Sequence, residues 1–481
     1  MSTATASPRA AFDAALLDRI IASSSLPSWA SDVRRAAFDR FVSLGLPDRR
    51  DENWMRTDLR LFKPKAWGPS GVPASATASG GASAPEGLLA QAILSGDLAA
   101  DSYADFERAL APGAQQVPVA GAAPAPASGR LAGRLASVDG HIVRHEVDPS
   151  LAAKGVVFGP ADELLASHAD ALRPHWFRVI DPGCDWFAAA HAAFHAASAV
   201  LYVPPGVRIA DPFHVIAGIG DGGVDTSHVL VVLGEGAEAT VLTETAGGGA
   251  IGSTGGFHCG GTEIVVGKGA FLRMVNLQNW NTGVWHFARQ KAVVQASGRL
   301  QWTLGALGSR VSQVAQDVAL AGRNASAQVN GVMFTEGRQH LVYNTLQHHE
   351  APSCTSDLLY KGALQGKSRL VWRGMIKVDK AAQKTDGYQR NDNLMLSNEA
   401  RADSIPGLEI EADDVRCTHG ATSGRVDAEQ IFYARARGLS ADEAARLVVA
   451  GFFQQVFDRI TIPQVREALA KAIGGRIHRI A

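Results

Sequence analysis

The most constraining feature of this chain lies between residues 155 and 415. There, short runs of β-branched and apolar residues alternate with glycine turns, and no helical pattern intervenes. HVLVVL (228–233) meets GEGAE and then ATVLTETA. TEIVV (262–266) meets GKGA and then FLRMVNLQ, and GALQGKS leads into RLVWRGMIKV. The turn glycines Gly236, Gly269, Gly298, Gly322 and Gly366 recur at irregular steps. A sequence written this way folds as a β-sandwich or as a stacked solenoid. The many small residues, Asn and Gln on the strands favour a β-helix. The flanks read differently. Leu16, Leu17, Ile20 and Ile21 recur at helical spacing, and Ser31 is expected to cap a second helix that turns Val33, Ala37, Phe38, Phe41 and Val42 to a core before Gly45 and Pro47 stop it. After Asp427, DAEQIFYARARG ends at Gly438, Ser440 and Glu443 form a capping box, and Pro463 opens a last helix that stops at Gly474–Gly475.

The domain division expected is therefore a helical region over 1–66, linkers with short helices over 67–154, a β core over 155–415 and a helical domain over 416–481. The linkers are GPSGVPASATASGGASAP (68–85) and AGAAPAPASG (120–129), with EGLLAQAIL and SYADFERAL as a helical pair between them. Composition excludes several function classes. Lys+Arg 46 against Asp+Glu 47 leaves a net charge of −1, which argues against a nucleic-acid or anionic-membrane binder that works through bulk charge. The four cysteines, Cys184, Cys259, Cys354 and Cys417, contain no CxxC pair, so reduced thiols are expected and a disulfide scaffold or zinc ribbon is not. No secretory core is visible near the N-terminus, and His191 and His195 interrupt the most apolar stretch, so a cytoplasmic protein is expected.

Several motifs fail for physical reasons. Gly218–Gly223 matches G-x-G-x-x-G, but a strand pattern rather than a helix follows, leaving no helix N-terminus for a pyrophosphate. Gly362–Ser368 is one residue short of a P-loop and reads as a turn. His191 and His195 have ligand spacing but read better as histidines of an Ala-rich helix. His348 and His349 are adjacent and, on a strand, point to opposite faces. Cys417 and His419 differ: two residues apart on a strand they share a face, and a thiolate beside an imidazole suits iron. The residues alone leave this open against a buried cysteine beside an unrelated histidine. Asp413 and Asp414 alternate faces and suit turn duty better than an acid/base pair.

The run from Lys367 to Ile460, together with VLYVPPGVRIADPFHV (200–215) and DENWMRTDLRLF (51–62), closely resembles the SufB/SufD family of iron–sulfur cluster assembly proteins. Within it the chain looks most like SufD. SufB chains carry cysteines in the stretch aligned with GYQRNDNLMLSNEARADS (387–404), one of which receives sulfur, and this stretch has none. The resemblance implies a mainly β fold, a right-handed parallel β-helix with helical N- and C-terminal domains. It also implies a non-catalytic scaffold that pairs with a SufB-like subunit and docks a SufC-like ABC ATPase, which hydrolyses the nucleotide that this chain does not bind. Cys417 and His419 would then hold iron or a transient cluster shared with the partner, and Phe432, Tyr433, Phe452 and Phe453 would dock SufC. Two other readings are a homo-oligomeric platform of the same kind, with a homodimer when isolated, and an exported β-helix enzyme using Asp317, Asp413 or Asp414.

Overall fold

A computed structural model describes residues 12–48, 50–68, 87–95, 129–249 and 252–477. The long run of β-patterned sequence winds into a parallel β-solenoid of about 8 turns, with helices toward both ends. Successive strands alternate between two sheets. One sheet has the order β2-β1-β5-β8-β10-β12-β14-β16-β18-β20, and the other runs β19-β17-β15-β13-β11-β9-β7-β4-β3, with β6 also on β9.

The first sheet holds β1 (Gly133–Val138), β2 (His141–Val147), β5 (Phe213–Ile219), β8 (Glu238–Gly247), β10 (Phe271–Trp280), β12 (Arg299–Ala306), β14 (Ser326–Thr335), β16 (Thr355–Leu364), β18 (Thr385–Met395) and β20 (Val415–Arg425). The second holds β3 (Val157–Pro160), β4 (Ala199–Val203), β6 (Gly223–Asp225), β7 (His228–Leu233), β9 (Gly256–Val266), β11 (Val284–Val294), β13 (Val311–Leu320), β15 (His340–His349), β17 (Arg369–Val378) and β19 (Arg401–Ile410). Only β1–β2 and β3–β4 pair antiparallel among the described strands.

The coil period is far more regular than the glycines suggest. Glu238 pairs with Phe271, Phe271 with Arg299, Arg299 with Ser326, Ser326 with Thr355, Thr355 with Asp386 and Asp386 with Arg416, an advance of 27 to 33 residues per coil. Gly236, Gly269 and Gly366 take the positive φ that the turns demand, but Ser297, Asn324, Ser353 and Lys384 take it elsewhere (φ 55°, 60°, 60° and 59°). A period counted on glycine misses those corners.

Inward residues of both sheets form one core that includes Trp302, Tyr343, Tyr360 and Trp372, all under 2% exposed. Both outer faces are covered over most of their length, which is why these strands read as nearly continuous apolar runs. On the first sheet lie α3 (Leu88–Ser95), α8 (Ala441–Phe457) and α9 (Pro463–Gly474), after α7 (Ala428–Ala436). On the second lie α1 (Ala14–Ser23), α2 (Ser28–Ser43), the short α4 (Ala161–Ser167) and α5 (Ala169–Leu172), and α6 (Trp186–Phe194). Arg34 of α2 is buried and donates to the carbonyls of Ala193 and His195 at 3.2 and 2.8 Å, satisfying the end of α6.

Several expectations shift. Ser31 lies inside α2, whose N-cap is Pro27, and Val42 is 66% exposed. Residues 50–63 are not helical: they form an irregular strap whose Trp54 and Phe62 pack on Phe187 and Phe287. Strand structure begins at Gly133, within the expected linker, and continues to Arg425, past the expected boundary at 415, because β20 closes one more coil before the helices start. The capping box Ser440–Glu443 forms as expected. The linker residues 69–85 and 120–128 and the SYADFERAL segment lie outside the described residues. No described helix is long and apolar enough to cross a membrane.

Candidate functional site

The solenoid's last coil ends both sheets. Among the described strands, β20 pairs only with β18 and β19 only with β17, so each leaves a row of backbone donors and acceptors along its outer side. No described helix lies over this end. Its strands are long, 10 and 11 residues, and mostly exposed or half-buried, with Leu408 and Ile410 at 37% and 40% exposure. Pro406 sits within β19, a position open to proline because an edge residue can lose a ladder N–H.

Cys417 and His419 both lie on β20, in register with Gly387 and Gln389 of β18. Cys417 packs against the small cluster of Ile376, Val378, Ala382 and Ala412 that fills the end of the lumen. A Cβ on Gly387 would meet the Cys417 sulfur at 3.3 Å, so glycine keeps the thiol's space open. Burial raises the Cys417 pKa above its ordinary value, which keeps the thiol protonated until a metal or a base displaces the proton. His419, two residues on and on the same face, is exposed, and its ring makes no hydrogen bond to the described residues. The two side chains expected to act together are therefore brought together. Among the described residues no group of three or more His, Cys, Asp or Glu is arranged to hold a metal. A metal at this pair would need further ligands from outside the described residues.

The four aromatics expected to dock a partner separate into two pairs. Phe432 and Tyr433 on α7 are 74% and 61% exposed, with the Arg437 guanidinium 4.6 Å from the Tyr433 ring. Phe453 is fully buried among the helices and β-sheet residues of the outer core, so it holds α8 in place and has no surface to offer. Phe452 is half-buried beneath Lys361, whose Nζ donates to the Phe452 carbonyl at 2.9 Å.

The remaining candidates have structural roles. His191 and His195 are buried core histidines, held well below their ordinary pKa by burial. His349 is buried and bonded to Ser356, while His348, on the opposite face, meets Asp379 and Glu350. Gly218–Gly223 joins β5 to β6, and Gly362–Ser368 is the β16–β17 turn. Asp413 and Asp414 are exposed in the turn before β20, whereas Asp317 is on β13, three strands from β19, so the three do not form an acid/base pair.

The sequence reading missed a cavity of about 350 Å³ on the outside of the second sheet, under the strap. Neither Cys417 nor His419 lines it. Its walls include Trp54, Phe187 and Phe287 together with Arg289, Asp317 and Arg373. The alternation of β13, which sets Gln313, Ala315 and Asp317 on one face, was the available signal. Nothing in the sequence showed that the strap would roof that face.

Comparison with known proteins bears on this arrangement. Residues 215–452 match the family described as SUF system FeS cluster assembly, SufBD core domain. An iron–sulfur cluster assembly SufBD family protein of Mycobacterium leprae is 34% identical over 295 residues, covering 60% of this chain and 73% of that protein. Its counterpart in Mycobacterium tuberculosis is 35% identical, covering 60% and 72%. The iron–sulfur cluster assembly protein SufB of Bacillus subtilis is 28% identical over 325 residues, covering 67% and 70%. This chain belongs to the SufBD family of iron–sulfur cluster assembly proteins.

Proposed function

We propose that this chain is the SufD-type scaffold subunit of a SUF assembly complex, joined through its last coil to a SufB-type partner. The observation that carries the reading is the uncapped coil itself: two long parallel edge strands with Cys417 and His419 at the end of the lumen. Edge strands of this length add further strands by main-chain hydrogen bonding, and a second solenoid offers matching edges. The absence of cysteine from 387–404 supports SufD over SufB. Iron or a nascent cluster is then cargo, held between the chains. Cys417 and His419 supply two ligands and the partner supplies the rest, since imidazole can replace thiolate at such centres.

The exposed Phe432 and Tyr433 present a surface for a SufC-type ATPase, which hydrolyses the nucleotide. ATP-driven closure of that partner would strain the junction as a rigid-body switch. The reading places the complex in the cytoplasm. Anaerobic co-expression with SufB- and SufC-type partners, pull-down and a visible spectrum test it. The expected result is a stoichiometric complex with a charge-transfer band that His419→Ala removes while the complex persists. A full band in His419→Ala removes this residue from the site, and a chain that purifies as its own oligomer beside both partners overturns the pairing.

A further inference from the structure

The cavity under the strap reaches the last coil only at Glu409 of β19, excludes Cys417 and His419, and has unfinished electrostatics. Each arginine and lysine in its wall already has a carboxylate: Arg289 donates to Asp185 at 2.6 Å, Arg373 to Glu52 at 2.6 Å and Lys377 to Glu409 at 2.7 Å. Asp317 has none. Arg289, Lys291 (its register partner on β11) and His348 act on it through space, in that order, but none bonds to it, and no other described residue does. Asp317 is half-buried in the cavity wall, so its carboxylate, which has no protein hydrogen-bond donor, is open to a ligand that supplies one.

The opposite wall is aromatic. Trp54 stacks on Phe187 at 4.8 Å, and Phe187 on Phe287 at 3.9 Å. The Trp54 indole N–H is buried with no acceptor, and His191 Nε2, also in the wall, has no partner among the described residues. The volume falls in the range of small-molecule sites, about 300–1,000 Å³.

We infer that this cavity binds a small organic cation with a flat apolar body, its ammonium or amidinium group pairing with the Asp317 carboxylate and its body lying against Phe187, Phe287 and Trp54. An amidinium meets a carboxylate through two parallel N–H···O bonds, the strongest pairing open to an otherwise unpartnered carboxylate. An anion is disfavoured because the wall's cations are already neutralised.

Benzamidine and its uncharged near-isostere benzamide separate these terms, titrated into the intact chain by calorimetry. Benzamidine should bind about tenfold tighter or more than benzamide, and Asp317→Asn should erase that preference. Because Asp317 bonds to nothing, the Asn variant should keep the parent's melting temperature. Ala315→Leu, which fills the cavity beside Asp317 on the same strand face, should block both probes. Equal affinity of the two probes, an undiminished preference in Asp317→Asn, or unchanged binding in Ala315→Leu would each overturn the assignment. None of these measurements involves Cys417, His419 or a partner chain.

Discussion

The coil built from β15 and β16 and the coil built from β19 and β20 share one backbone geometry and differ in what covers them. In the first, Leu341, Tyr343, Leu358 and Tyr360 are at most 1% exposed, with strands stacked on both sides. In the second, the register-equivalent Ala402 and Ser404 are half-buried and His419 and Ala421 exposed, and Leu408 and Ile410, inward on the same strand, reach 37% and 40% exposure. The register does not change between them: Thr355 to Asp386 and Asp386 to Arg416 are the same kind of step. At the other end of the molecule the ladder is broken by antiparallel β2 and β3, whose polarity cannot continue a parallel stack. Among the described strands, the last coil is the one whose free edges keep the parallel polarity and full length of the stack. Coverage, and not local geometry, distinguishes a coil buried in the stack from one whose edges stay exposed.

A charge placed in each coil tests this most strongly. Leu341→Asp buries a carboxylate in the core and should abolish the folded state, since a single unpaired buried charge costs several kcal/mol against a stability of about 5–15 kcal/mol. Leu408→Asp should leave melting unchanged within about 0.5 kcal/mol yet weaken association with a SufB-type partner by about a thousandfold, or ~4 kcal/mol. Thermal melts of the isolated chain and sedimentation of the mixture read the two effects. Intact association in Leu408→Asp would move the partner surface away from this edge.

Much of this division is legible in the residues. Glycine turns between apolar runs point to a solenoid, and Cys417-x-His419 places a thiol and an imidazole on one face of the strand. What escapes the sequence is whatever depends on a neighbour distant in the chain. Ser297, Asn324, Ser353 and Lys384 take left-handed turns that composition assigns to glycine, because the coils above and below hold them there. Ser31 looks like a cap, but Pro27 is pre-set for the start of α2 four residues earlier. Phe453 resembles its exposed neighbours in sequence, and only the seating of α8 on β14 and β16 buries it. Asp317 acquires a cavity only when residues 50–63 cross over it.

Acid should strain the covered coils first. Burial lowers His340 and His349 of β15 to pKa values of about 4, with the Arg369 charge adding to the shift at His340 and His348 adding at His349. The unfolded chain takes up these protons near the ordinary value of about 6.5. The unfolded state thus binds more protons than the folded state between pH 6.5 and about 4, so stability present above 6.5 is lost as pH falls through that window. At pH 5 each site should cost about 1–2 kcal/mol, read as a falling urea midpoint that His349→Asn partly flattens. An unchanged midpoint from pH 7 to 5 would show that these rings reach water.

The smallest effect concerns the helices that flank the open end. The Ser440 hydroxyl accepts from the Glu443 N–H, and the Glu443 carboxylate accepts in turn from the Ser440 N–H. Ser440→Ala leaves the Glu443 N–H to water and should cost about 1 kcal/mol, an ordinary value for an exposed cap. The loss should fall on α8, because the exchange protection of α8 depends on its first turn while that of the strands beneath depends on the stack. Partner binding through β19 and β20 should not change, since the cap touches neither strand. If hydrogen exchange in Ser440→Ala instead quickens along β20, the helices and the last coil open as one unit, and the exposed edge is held in shape by α8 rather than by the coil below it.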